Sequence, residues 1–155
     1  MQRAYRFAIT YFALFGLLLL ASAAALFASK IGFSVQGIEL YYLGSDTVPG
    51  KSPYGLLESA VPHLGAMGLF IMVGAHFMLF APARAKRRTL YLALALFAAA
   101  LLDIAGGYII ASGAASWVWV KLAAYITLSL LGTLLMLQLL YYAFWHSLLP
   151  PRHPR

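Results

Sequence analysis

Four long stretches of the chain are almost free of charge, at residues 7–29, 59–81, 90–111 and 117–145. Each reaches the roughly 20 residues that an α-helix needs to cross the hydrocarbon core of a bilayer. Only Asp103 interrupts the third, and only Lys121, near its start, interrupts the fourth. The segment between them, residues 112–116 (SGAAS), is too short to do more than turn the chain back. Spans three and four therefore form an antiparallel hairpin. The pattern predicts an all-α integral membrane protein, one domain folded as a four-helix antiparallel bundle.

The loop at residues 30–58 is the only sizeable polar segment. Within it Val35, Ile38, Tyr41 and Tyr42 recur at helical spacing, which predicts a short helix lying on the membrane interface. Gly44-Ser45-Asp46 follows as a turn. Ser52 before Pro53 is a helix start, with the hydroxyl as cap and proline in the first turn. The second span is thus expected to begin as an exposed helix near Pro53. Pro62, which lacks an amide hydrogen, is expected to bend it at the membrane surface.

Composition narrows the class. The chain is 63% hydrophobic and 10% charged over 155 residues, against about half and about a quarter for soluble domains. A water-soluble enzyme, a disordered tail and a coiled coil are excluded. The absence of cysteine excludes disulfides, thiolate metal sites, iron–sulfur clusters and covalently attached c-type haem. The net charge of +7 points to orientation rather than to nucleic acid. Arg3, Arg6, Arg84, Lys86, Arg87, Arg88, Arg152 and Arg155 fall on one side of the four spans, and only Lys30, Lys51 and Lys121 on the other. By the positive-inside rule both termini are cytoplasmic and the 30–58 loop faces outward. The Arg84 to Arg88 run is a topology signal and a contact for anionic lipid headgroups. The first span also has the layout of a secretion signal, with alanines around Ala21 to Ala25. Its apolar stretch of about 22 residues exceeds the usual signal core of about 7–15, which favours an uncleaved anchor.

Ionisable groups inside a bilayer are costly, so each is a candidate for function. They are His63, His76, Asp103, Lys121 and His146, with Glu58 at the outer surface one turn before Pro62. At about 100° per residue, His76 shares a face with Gly65, Gly68, Met72 and Ala75, and His63 lies roughly opposite with Met67 and Phe70. Asp103 lines up with Ala99, Gly106 and Gly107. Lys121, Tyr125, Gly132, Met136, Leu139, Ala143 and His146 form one stripe. Small residues beside His76 and His146 are expected to turn both histidines into the bundle.

Three chemistries follow. His76 lies about 12 Å before Arg84, and His146 about 9 Å before Arg152, at about 1.5 Å per residue. Two imidazoles at similar depth on facing helices are axial ligands for the iron of a haem b, with Met72 or Met136 as a replacement. Asp103 and Lys121 are placed for an ion pair within the hairpin, since a carboxylate in hydrocarbon must be paired, protonated or hydrated. His63 and Asp103, nearer the outer side, are candidates for a proton path fed by Glu58, or for a polar pocket that takes a quinol hydroxyl. The thioethers of Met67, Met72 and Met78 are soft enough for copper, but bulky apolar residues at helical spacing are usually packing. No nucleophile with its base, phosphate loop or zinc-protease signature is present.

The segments GFSVQGIELYYLGSD, PGKS and LLESAVPHLGAMGLFIMVGAHFMLF, covering about residues 32–80, resemble a group of small four-helix bacterial inner-membrane proteins of uncharacterised activity. The resemblance implies that Tyr41, Tyr42, Gly44, Lys51, Glu58, Pro62, His63, Met67 and His76 belong to one unit, and it implies an inner-membrane location. More distantly, the 13-residue spacing of His63 and His76 on one apolar helix is similar to that of membrane b-type cytochromes. In those, two helices each carry such a pair. Here His146 has no partner near the outer end of span four, so only one haem per chain, or a site completed in a dimer, would fit.

The leading expectation is a small electron-transfer or quinone-linked membrane subunit, with His76 and His146 as candidate ligands of a haem b, serving a membrane or periplasmic redox partner docked on residues 30–61. The alternatives are a non-catalytic accessory or scaffold subunit of a larger membrane complex, and an oligomeric transporter or proton-conducting protein using Asp103, Lys121 and His63. No catalytic set supports an enzyme. The lipid bilayer is the one certain partner, and a homo- or hetero-oligomer is compatible with every reading.

Overall fold

The computed structural model of the chain describes residues 2–80 and 83–145. It is 88% helical, with no strand among the described residues. The helices are α1 (Gln2–Lys30), α2 (Val35–Leu43), α3 (Pro53–Phe77), α4 (Ala83–Ala111) and α5 (Val118–Trp145). All but α2 are long and apolar enough to cross a membrane. A helix satisfies its own backbone hydrogen bonds, as a lipid-embedded segment must. Threonine hydroxyls do the same locally: the buried Thr89 donates to the Ala85 carbonyl at 2.9 Å and the half-buried Thr133 to the Ser129 carbonyl at 2.8 Å.

The caps follow the sequence signals. Ser52 accepts from the Gly55 amide at 3.1 Å and Pro53 is the first residue of α3. Ser34 caps α2 in the same way through Gly37 at 3.0 Å. Two short turns close the hairpin between α4 and α5, and Gly113, at φ +104°, takes the left-handed backbone that reverses the chain there. α3 continues through Pro62 without a break. α4 begins at Ala83, just ahead of the basic run and several residues before the apolar stretch, because Ala, Lys and Arg are good helix formers whatever their polarity.

α4 and α5 are the central hairpin. α1 packs along α5 and α3 along α4, while α1 and α3 hardly meet. Both ends of the described chain therefore lie at one end of the bundle, beside the basic run; the other end is covered by α2, which rests on α4 and α5. The described residues form two cores. The larger fills the basic end and the middle, around Ile9, Ile71, Leu96, Leu135, Met136 and Leu139. The smaller lies under α2, around Phe27, Ile38, Tyr42, Leu56, Ile110 and Val118.

α3 corrects one expectation. Its two faces separate as the periodicity predicts, but the inward one is the face of Met67, Phe70, Ile71 and Gly74. His76 is exposed and Met72 is 60% exposed. Nothing lies within 4 Å of a side chain built at Gly65 or Gly68, whereas one at Gly74 would meet Leu135 at 2.9 Å. Bulk decided the orientation: burying Phe70, Ile71 and Met67 brings many more van der Waals contacts than burying glycines. The close approach between helices is made at Gly74 instead.

Candidate functional site

The polar residues of the spans converge at the α2 end. Lys121 Nζ donates to Asp103 Oδ1 at 2.6 Å and to the backbone carbonyl of Asp103 at 2.8 Å. Each residue is only 5% exposed. The hairpin dictates this pairing, because Asp103 is two turns before the end of α4 and Lys121 is in the first turn of α5. A lone ammonium or carboxylate would be prohibitively costly here, and each offsets the other's loss of water. Gly106 makes room: a Cβ there would touch the Lys121 stem at 3.4 Å, so the lysine lies flat against α4.

Tyr42 covers the pair from above. The Lys121 ammonium is 5.9 Å from its ring centroid, within cation–π range. The ring fits against Gly107, where an added Cβ would come within 3.0 Å of it. Burial, and then the nearby Asp103 carboxylate, push the Tyr42 phenol well above its ordinary value of 10.0. It therefore remains a neutral hydrogen-bond donor at physiological pH. Tyr125, one turn beyond Lys121, stacks on Phe27 with centroids 3.9 Å apart. Its phenol oxygen is buried near the Ser129 hydroxyl, one turn further along α5.

These groups line a cleft of about 340 Å³ between α1 and α3, with α4 and α5 as its floor and α2 above. Its polar lining includes Asp103, Lys121, Tyr42, Tyr125, His63 and Ser59, and its walls on α1 and α3 include the small residues Ala23 and Ala60. Helices α1 and α3 meet at the other end, where Phe12 packs on Phe77 and Phe70 at 5.4 and 6.2 Å. The cleft is thus a wedge between two helices that touch at one end and are held apart at the other.

Of the residues singled out from the sequence, the cleft gathers His63, Asp103 and Lys121. Glu58 is exposed and is not part of its lining. His76 and Met72 lie outside it, on the exposed face of α3 towards the basic end. His146 lies outside the described residues. Among the described residues, no three His, Asp or Glu side chains gather as a metal-ligand set. Sequence reasoning missed the part played by Tyr42 and Tyr125, which it took for interfacial aromatics and part of a stripe. Their signals were present: Tyr42 is four residues after Ile38 on α2, and Tyr125 four after Lys121 on α5, so each shares a face with a buried residue.

Residues 32–148 match the model of a family described as a transmembrane helical domain. The match spans α2 to α5 and begins after α1. No curated protein and no solved structure matches the chain. The match supports the resemblance to small transmembrane helical proteins and gives none to the likeness with b-type cytochromes. With well over half of its residues inside the matched segment, the chain belongs to the Aq_1264_TM family of transmembrane helical domains.

Proposed function

We propose that this integral membrane protein is a small quinone-linked subunit whose α2-end cleft binds a quinone or quinol headgroup. The observation that carries the reading is the cleft itself. It is a lipid-side cavity of about 340 Å³ with a charged floor, an aromatic wall and a gap between two spans. A quinone headgroup is a flat ring with an oxygen at each end. Lys121 and the neutral Tyr42 phenol can donate to its carbonyls. His63 and Asp103 can accept from the hydroxyls of the quinol, and Tyr125, already stacked on Phe27, offers a ring face. The prenyl tail would leave between α1 and α3, past Ala23 and Ala60, into lipid. Oxidation of a quinol releases two electrons and two protons. The protons would pass to His63 and the Asp103 carboxylate, and a redox partner docked over α2 would take the electrons. If the basic end is cytoplasmic, as the distribution of Lys and Arg predicts, the cleft opens to the outer leaflet of a bacterial inner membrane.

Titration calorimetry of the protein in mild detergent with a short-chain quinone tests this. Saturable binding is expected, weakened about tenfold by His63→Gln, the worth of one good hydrogen bond. Absence of saturable binding, or binding indifferent to His63→Gln, defeats the reading and leaves the accessory-subunit alternative. The haem reading on His76 and His146 draws on the sequence alone. It is tested by the absorption spectrum of the same preparation after haem-supplemented expression: a Soret band lost in His76→Ala supports it, and no band ends it.

A further inference from the structure

Above the cleft, and sharing Lys30, Ile31 and Tyr41 with it, lies a larger cavity of about 690 Å³. It lies where α1 ends and α3 begins, between α2 and the loop that follows α2. Among the described residues two cations line it, Lys30 and Lys51, and no carboxylate does. Neither lysine makes an ion pair among the described residues, where Asp103–Lys121 is the one found. The first turn of α3, whose Ser52 and Gly55 also line the cavity, contains no acidic residue. A wall that carries two lysines and no carboxylate is complementary to an anion.

The loop holds this charge in place. Gly44, at φ +82°, starts a tight reversal in which the Ser45 amide donates to the Val48 carbonyl at 2.8 Å and the Lys51 amide to the Tyr42 carbonyl at 3.1 Å. Lys51 then lies over the Tyr41 ring, 4.9 Å from its centroid. Depth identifies the anion. The cavity is level with the ends of two spans, and large apolar side chains stand exposed around it: Phe33, Leu40, Val48 and Tyr54. Such residues are stable at the boundary between headgroups and acyl chains, not in water.

We infer that this cavity is a binding site for the phosphate headgroup of an anionic phospholipid in the leaflet on the α2 side. Lys30 and Lys51 hold the phosphodiester, and Leu40 and Val48 border the start of the acyl chains. The site stands whether or not the cleft below it binds a quinone. A free phosphate shares the chemistry but not the apolar rim.

Native mass spectrometry of the protein released from neutral detergent tests the inference, with phosphatidylglycerol, phosphatidylcholine and inorganic phosphate as probes. The protein should retain phosphatidylglycerol over phosphatidylcholine. The double variant Lys30→Gln/Lys51→Gln should lower that retention about tenfold, in keeping with the pull of a basic residue on an anionic headgroup. The control Lys86→Gln/Arg87→Gln/Arg88→Gln, at the opposite end, removes binding to the basic run and should leave this difference intact. A phosphatidylglycerol analogue with a photoreactive headgroup should label peptides from residues 30–55. Retention unchanged in the Lys30→Gln/Lys51→Gln variant would overturn the site. Inorganic phosphate that displaces the lipid at equal concentration would overturn the lipid as its occupant.

Discussion

The two ends of this bundle use the same four helices in opposite ways. At the basic end, glycines admit apolar side chains. A Cβ at Gly16 would lie 2.6 Å from the Met136 sulfur, and one at Gly74 would lie 2.9 Å from Leu135. The result is a dry interior closed between α1 and α3 by Phe12, Phe70 and Phe77. At the α2 end, glycines admit polar ones: Gly106 seats the Lys121 stem and Gly107 the Tyr42 ring. There α1 and α3 stand apart and a cleft remains. Between helices in lipid, where burying apolar surface brings no gain over the lipid itself, packing and interhelical polar bonds do the work. One end relies on the first and the other on the second. A cavity with fixed polar groups is expected where the second prevails.

The sharpest way to break the comparison is to remove one member of the buried pair. Asp103→Leu leaves the Lys121 ammonium buried without its carboxylate, and a loss of about 3–5 kcal/mol is expected from such an uncompensated charge. The double variant Asp103→Leu/Lys121→Met should recover most of it, since two apolar groups of similar size need no partner. Denaturant unfolding of the four proteins in one detergent gives the double-mutant cycle. Single variants as stable as the parent would mean that water or lipid headgroups already solvate the pair, and that the α2 end is no more a sealed polar core than an exposed loop is.

How much of this was legible in the sequence depended on how cheaply the signal could be cancelled. Four spans, the hairpin and the Ser52–Pro53 start were legible, because helix length and capping are local and lipid permits few alternatives. The Asp103–Lys121 pair was legible because the turn at residues 112–116 is too short to place them anywhere but side by side. The inward face of α3 was not. Periodicity separates two faces but does not say which one meets the bundle, and glycines beside His76 suggested the wrong one. The bulk of Met67, Phe70 and Ile71 was the better guide. The cleft was the least legible, since it arises from α1 and α3 standing apart at the α2 end, a property of neither helix alone.

A smaller effect sharpens the polar side. The Tyr42 phenol has its folded-state pKa raised above 10.0, chiefly by burial. A raised value means that the neutral form is favoured by folding. That stability is fully present below about pH 10, where unfolded tyrosine is also neutral, and is lost as the pH rises above it towards the folded value. Tyr42→Phe removes this dependence while keeping the ring on Gly107. Between about pH 9 and about pH 11 the parent should lose up to about 1.4 kcal/mol per pH unit more than the variant. Parallel unfolding curves across that range would show that Tyr42 is solvated, and that α2 does not shield the ion pair from water.

The smallest effect probes the face that neither end uses. Gly65 and Gly68 lie on the outward side of α3 with Met72 and His76, and nothing stands within 4 Å of a side chain built at either glycine. Alanine is a better helix former than glycine by up to about 1 kcal/mol. Gly65→Ala/Gly68→Ala should therefore unfold at the same temperature as the parent or a few degrees above it. Gly74→Ala, which drives a Cβ against Leu135, should unfold lower. The contrast separates glycines that merely face lipid from those that let helices approach. If the double alanine variant instead loses stability and elutes as a smaller particle on size exclusion, the outward face is packed against a second copy of the chain. His76 and Met72 would then be interface residues rather than lipid-facing ones, and the dimer needed for a shared haem site would have a concrete geometry to be tested against.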